Sequence, residues 1–164
     1  MNGGTVNTNG YESYGLWIDQ ETTSTATAKV TSGTITTQGL RAHGVLVEST
    51  VGDASVTSAG TISTNGDSAE GIYAISSGTG VTVLATQTGG SITTKGINAD
   101  AVVAYADGAT TTTGVKAVAT QSGGSIVTTG GSTTVPFIGT PVNGSSGLVA
   151  QVGTVSSLGV PSGG

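Results

Sequence analysis

The sequence predicts an all-β fold: a right-handed parallel β-helix, or solenoid, with three short strands per coil and about five coils of 27–34 residues. Three observations carry this expectation. The frame Gly60-Thr61-Ile62-Ser63-Thr64-Asn65-Gly66 returns from Gly4, Gly33, Gly90 and Gly124, and a repeat of this period marks one structural unit stacked on its neighbours. Each unit holds three short extended stretches bounded by Gly, Asn, Asp and Ser, the punctuation of strands and turns. The 29 glycines recur at fixed places in a chain with only 8 % charged residues and a mean hydropathy of +0.17, which is not the highly charged, weakly hydrophobic signature of disorder.

The first strand of each unit is the Gly-Thr-Ile-x-Thr frame. Residues two apart share a face, so Val6, Ile35, Ile62, Ile92 and Ile126 point the same way as Thr8, Thr37, Thr64, Thr94 and Thr128. The positions before the aliphatic residue are Thr5, Thr34, Thr61, Ser91 and Ser125, all polar, so the isoleucine and threonine face is inward. The second strand reads Leu16-Trp17-Ile18, Val45-Leu46-Val47, Ile72-Tyr73-Ala74 and Val102-Val103-Ala104. Its uniformly aliphatic positions are assigned to the core, which leaves Trp17, Leu46, Tyr73 and Val103 on the other face. The third strand is clearest in the near-duplicate stretches 84–92 and 118–126 and reads as shortened in the earlier units, at Val30-Thr31-Ser32 and Val56-Thr57-Ser58-Ala59. Length varies mainly at 20–26, 49–52, 76–80 and 106–114, the segments where an attached function is expected. Pro136, Pro141 and Pro161 cannot donate to a strand ladder. A single β-helix domain is therefore expected over 1–150, with a long irregular loop at 131–145 and an irregular tail at 151–164.

Stacking follows from what one unit cannot do alone. A strand of four to six residues is not stable by itself in water, and a single three-strand coil leaves both backbone edges unpaired. Parallel pairing with the equivalent strand one unit on, about 4.8 Å away, satisfies those edges and piles isoleucine on isoleucine. Right-handedness is the general preference of parallel β connections. Glycines are expected at the corners, for positive φ or close backbone approach.

The bulk numbers narrow the function. Net charge is −5, and the four cations Lys29, Arg41, Lys95 and Lys116 are scattered, which argues against nucleic acid as a partner. With no cysteine there is no disulfide and no thiolate metal site, and no cofactor motif is legible. Met1 is followed at once by Asn2-Gly3-Gly4, without the basic and apolar segments of a signal peptide.

The cadence Gly-Thr-Ile-Ser-Thr-Asn-Gly-Asp-Ser-Ala-Glu-Gly-Ile-Tyr-Ala at 60–74, with its copies at 33–47 and 90–104, resembles the pertactin-like β-helical passenger domains of bacterial autotransporters. The resemblance covers most of 3–130 and runs more loosely to 150. It implies a secreted or cell-surface fragment of a longer parent whose C-terminal membrane barrel lies outside this chain. It further implies a virulence-associated adhesin-like role toward a protein or glycan of a host or neighbouring cell.

Two residue sets are candidates for chemistry. Asp67, Glu70 and Asp100 lie near equivalent turns of adjacent coils, as a carbohydrate-active β-helix would require, although solvated turn acids are the plainer reading. Trp17 and Tyr73 occupy equivalent positions two coils apart and would form a docking stripe for a glycan or protein, or else pack beneath a loop. His43, the only histidine, is expected to be outward and exposed, and no catalytic triad can be built without it. The leading expectation is a non-enzymatic surface scaffold. A glycan lyase, hydrolase or glycan-binding helix is the alternative, and a fibre built by end-to-end coil stacking is a third.

Overall fold

The structure is a computed structural model and describes residues 1–107, 114–130 and 145–152. The expected loop at 131–145, apart from Ser145, and the tail beyond Val152 lie outside the described residues, as do the three prolines. Strands occur in sets of three. The first set is β1 (Asn2–Thr8), β2 (Leu16–Gln20) and β3 (Ala26–Val30), followed by β4 (Ser32–Thr37), β5 (Val45–Ser49) and β6 (Ala54–Ser58). Next come β7 (Thr61–Thr64), β8 (Ile72–Ser76) and β9 (Thr82–Gln87), then β10 (Ser91–Thr94), β11 (Val102–Ala106) and β12 (Lys116–Gln121). Two strands of a further coil complete the series, β13 (Ser125–Thr128) and β14 (Leu148–Val152).

Each strand pairs in parallel with its equivalent one unit later. The three sheets therefore run β1-β4-β7-β10-β13, β2-β5-β8-β11-β14 and β3-β6-β9-β12. Four complete coils and part of a fifth stack into a β-solenoid, with no helix among the described residues. Register is unbroken along the aliphatic column Val6, Ile35, Ile62, Ile92 and Ile126, and along the threonine column beside it. Ile35, Ile62 and Ile92 have no exposed surface. Burying each contributes about 1.5–3 kcal/mol before chain entropy is subtracted.

Threonine in a core needs a partner for its hydroxyl, and each coil supplies the same one. The Oγ1 of Thr37, Thr64 and Thr94 donates to the carbonyls of Ala42, Ala69 and Ala99 at 2.5, 2.6 and 2.7 Å, and Thr8 donates to Ser13 at 2.5 Å. The methyl packs in the ladder while the hydroxyl ties off the corner five residues on. A buried polar atom paired in this way avoids the roughly 1–3 kcal/mol cost of an unmade bond.

At the first corner the reason for glycine proves to be proximity. Positive φ falls on Glu12 (51°), Arg41 (56°), Ser68 (48°) and Asn98 (53°), none of them glycine. Their amides interlock the coils: Glu12 N–H donates to Leu40 O, Arg41 N–H to Asp67 O and Ser68 N–H to Ile97 O, at 2.8–3.0 Å. Gly66, two residues earlier, sits so close to the preceding coil that a Cβ there would lie 1.8 Å from the Gly39 carbonyl oxygen. That contact excludes every side chain.

The third strand corrects one reading. In the first two coils it runs five residues, one fewer than in the next two, and begins earlier than expected, at Ala26 and Ala54. Ala26, Ala28 and Val30 are buried while Thr27 and Lys29 alternate outward, so small alanines satisfy the inward positions of a full strand.

The inward aliphatic ladder predicts the effect of a charge within it. Ile62→Asp should cost at least about 4 kcal/mol, because an unpaired carboxylate would replace a fully buried side chain between Ile35 and Ile92. Thermal melts followed by far-UV circular dichroism measure this, and a variant that melts with the unmodified protein would contradict the inward assignment.

Candidate functional site

The outer face of the second sheet carries the candidate site. Because register is unbroken, its outward residues form two columns. One is Trp17, Leu46, Tyr73, Val103 and Val149; the other is Asp19, Glu48, Ile75, Tyr105 and Gln151. A third column borders them at the corner: Tyr14, His43, Glu70, Asp100 and Ser146. Each of these stands two residues before its second strand, with one Gly or Ala between, and the carbonyls of the last four accept the amides of Gly15, Gly44, Gly71 and Ala101 from the coil before, at 2.9–3.1 Å.

The expected aromatic stripe is in register, with Leu46 between Trp17 and Tyr73. Trp17 is 56 % exposed, and its indole Nε1–H donates to Glu48 Oε2 at 2.8 Å. Tyr73 is half-buried, while Leu46 and Val103 are covered. The rings continue through the corner column. Tyr14 meets Trp17 edge-on at 5.8 Å and stacks on His43 at 5.4 Å, and His43 meets Tyr73 edge-on at 5.3 Å. Such pairs contribute about 0.5–1.5 kcal/mol beyond their buried area.

His43 departs from expectation. It is 7 % exposed, because the rings of Tyr14 and Tyr73 enclose an imidazole that points outward from the coil. Its Nδ1 accepts the Glu70 amide at 3.0 Å and also touches the Glu70 Oε2. One nitrogen cannot accept and donate at once, so with a proton on Nδ1 it serves the carboxylate and without one it serves the amide. Burial, aided by Glu70, pushes the Tyr73 phenol well above its ordinary range, and burial with Glu12 raises Tyr14. Both phenols remain neutral across physiological pH.

The three candidate acids separate. Glu70 and Asp100 share the corner column on adjacent rungs, whereas Asp67 stands exposed in a different column three residues earlier. Asp67 Oδ1 accepts the Ile97 amide at 2.8 Å, Asp53 Oδ1 accepts Thr82 at 2.7 Å and Asp100 Oδ1 accepts Ser146 at 2.5 Å. Each aspartate thus caps an amide of the following coil. Asp19 and Glu48 are also rung neighbours. Among the described residues no three His, Asp or Glu side chains gather in a way that would hold a metal ion.

Beside Glu70 and Asp100 the face is concave. A groove of about 200 Å³ is lined by Glu70, Tyr73, Asp100, Val103, Tyr105 and Val149. The Tyr105 hydroxyl donates to Asp107 Oδ1 at 2.9 Å. Sequence reasoning singled out neither Tyr14 nor Tyr105, and it placed His43 in solvent. The signal for the corner column was present as the residue immediately before each second-strand Gly or Ala, a position where no single residue type recurs.

Set against family models, curated proteins and solved structures, the chain matches none.

Burial pushes the Asp100 carboxyl up from its ordinary value, with Glu70 adding to the rise and the Ser146 amide opposing it. The folded chain therefore holds the Asp100 proton more tightly than the unfolded chain does. This site's contribution to stability falls as pH rises from the ordinary aspartate range through the raised value. Asp100→Asn keeps an acceptor for Ser146 and removes the charge. It should melt higher than the unmodified protein at pH 7, with the difference closing as pH falls toward 4. Paired melts across pH measure this; a variant less stable at pH 7, or a difference independent of pH, would contradict it.

Proposed function

We propose that this chain is a non-enzymatic scaffold: part of a bacterial autotransporter-type passenger, secreted or held at the cell surface, that mediates adhesion or contact with a host or neighbouring cell. The observation that carries the reading is the exposure of Trp17 at the head of an in-register aromatic column on one lateral face. A large apolar ring held half in solvent by a hydrogen bond to Glu48 is a contact residue rather than a core residue. The repeat cadence at 60–74, similar to that of pertactin-like passengers, supplies the cellular context, including a membrane barrel elsewhere in the parent protein. A rigid solenoid suits this role because lateral columns keep their spacing along its whole length.

A second reading, glycan chemistry, draws on Glu70 and Asp100 standing one rung apart. Asp67 lies outside that pair, and Asp100 is engaged with a backbone amide. Both features favour the scaffold.

Beads coated with the purified chain should adhere to cultured epithelial cells or to neighbouring bacteria well above uncoated beads. The Trp17→Ala/Tyr73→Ala double variant, folded by circular dichroism, should bring adhesion down to the background level. Equal adhesion by the variant would sink the contact reading. Release of reducing ends from a glycan panel, abolished by Asp100→Asn or Asp67→Asn, would replace it with the enzymatic one.

A further inference from the structure

We propose that the groove between Tyr73 and Tyr105 receives the side chain of a lysine presented by a partner polypeptide. This inference rests on reading the second-sheet face as a contact surface and names the chemistry that the face takes. Charge is segregated on the solenoid. Of the nine acids, Asp19, Glu48, Glu70, Asp100 and Asp107 stand on or beside the second sheet. The cations lie elsewhere: Lys29 on β3 and Lys116 on β12 of the third sheet, Lys95 after β10, and Arg41 at a corner, 3.4 Å from Glu12. The face is thus complementary to a positive partner, and the groove is its concave point.

Size and lining select the ligand. At about 200 Å³ the groove falls below the roughly 300–1,000 Å³ of sites that enclose a drug-sized molecule, so it holds one side chain and not a run of sugar rings. Val103 and Val149 offer an apolar floor for a four-carbon stem. Glu70 and Asp100, on rungs about 4.8 Å apart, present carboxylates to one ammonium, whose three donors can serve both, and the Tyr73 ring adds a cation–π contact. Glu70 adds to the cost of ionising Asp100, and a cation beside the pair removes that part of the cost. A neutral glycan would bring no charge to either carboxylate.

The test is a titration followed by amide chemical shifts of the ¹⁵N-labelled chain. The probe is Nα-acetyl-lysine methylamide. Its norleucine counterpart, with a similar stem and no ammonium, and glucosamine, a cation on a sugar, are the comparison arms. Saturable shifts at Tyr73, Val103 and Val149 are expected for lysine. Binding of the other two should be at least roughly fivefold weaker, and lysine binding should weaken with added salt. Asp100→Asn and Glu70→Gln should each lose roughly fivefold while the amides of β1, β4 and β7 keep their positions. Equal binding of norleucine would overturn the electrostatic role, and equal binding of glucosamine would overturn the polypeptide source. Unchanged affinity in both variants, or no saturable shift, would overturn the site. The titration uses no cells, so lysine binding without bead adhesion would count against the adhesion role alone.

Discussion

The constraint on which everything else depends is that one coil of this chain has no core and no paired backbone until another coil lies on it. In-register parallel stacking meets both needs at once, and it makes each position answer to the same position one coil above and one below. An isoleucine then packs on isoleucines, a threonine hydroxyl finds the same carbonyl five residues on in successive coils, and a glycine is kept where the preceding coil's carbonyl leaves no room for a Cβ. The repeat in the sequence is the trace of that mutual demand.

The same rule operates on the outside, where it produces columns of unlike residues. The corner column runs from an aromatic through an imidazole to two carboxylates, and its first three side chains touch because stacking leaves them nowhere else to go. His43 is buried for this reason: an outward residue is not a solvated one when large rings occupy the rung before it and the strand beside it. Stacking also half-buries Asp100 on the rung next to Glu70, and burial first, with the like charge adding to it, raises the proton affinity of the Asp100 carboxyl. The outer face therefore holds electrostatic tension that the core does not.

Most of the fold was legible, because period-two alternation and a thirty-residue repeat are carried by residue types that stacking demands. The inward columns through Ile62, Thr64, Ile72 and Ala74 follow directly from that alternation. What escaped was the third strand of the early coils. There the inward residues that were missed, Ala26, Ala28 and Ala54, are alanines, too weakly hydrophobic to stand out beside polar neighbours. The candidate site was legible only as far as register reaches. Trp17 over Tyr73, and Glu70 beside Asp100, follow from counting along the repeat. The Tyr14–His43–Glu70 contacts do not, since they depend on side-chain size and direction at a corner where residue identity changes with every coil. The corner glycines were expected for positive φ or close approach; close approach is what Gly66 serves, while non-glycine residues two places on take the left-handed turn at some conformational cost.

The claim that the whole account rests on is the register of the first sheet, and methyl nuclear Overhauser contacts measure it most directly. With isoleucine methyls labelled, Ile62 should show cross-peaks to both Ile35 and Ile92, one rung away at about 4.8 Å, and the Ile35–Ile92 peak, across two rungs at about 9.6 Å, should be absent. A direct Ile35–Ile92 contact, or Ile62 methyls in contact with the outward threonines in place of their column neighbours, would contradict in-register stacking and, with it, the placement of every residue on the outer face.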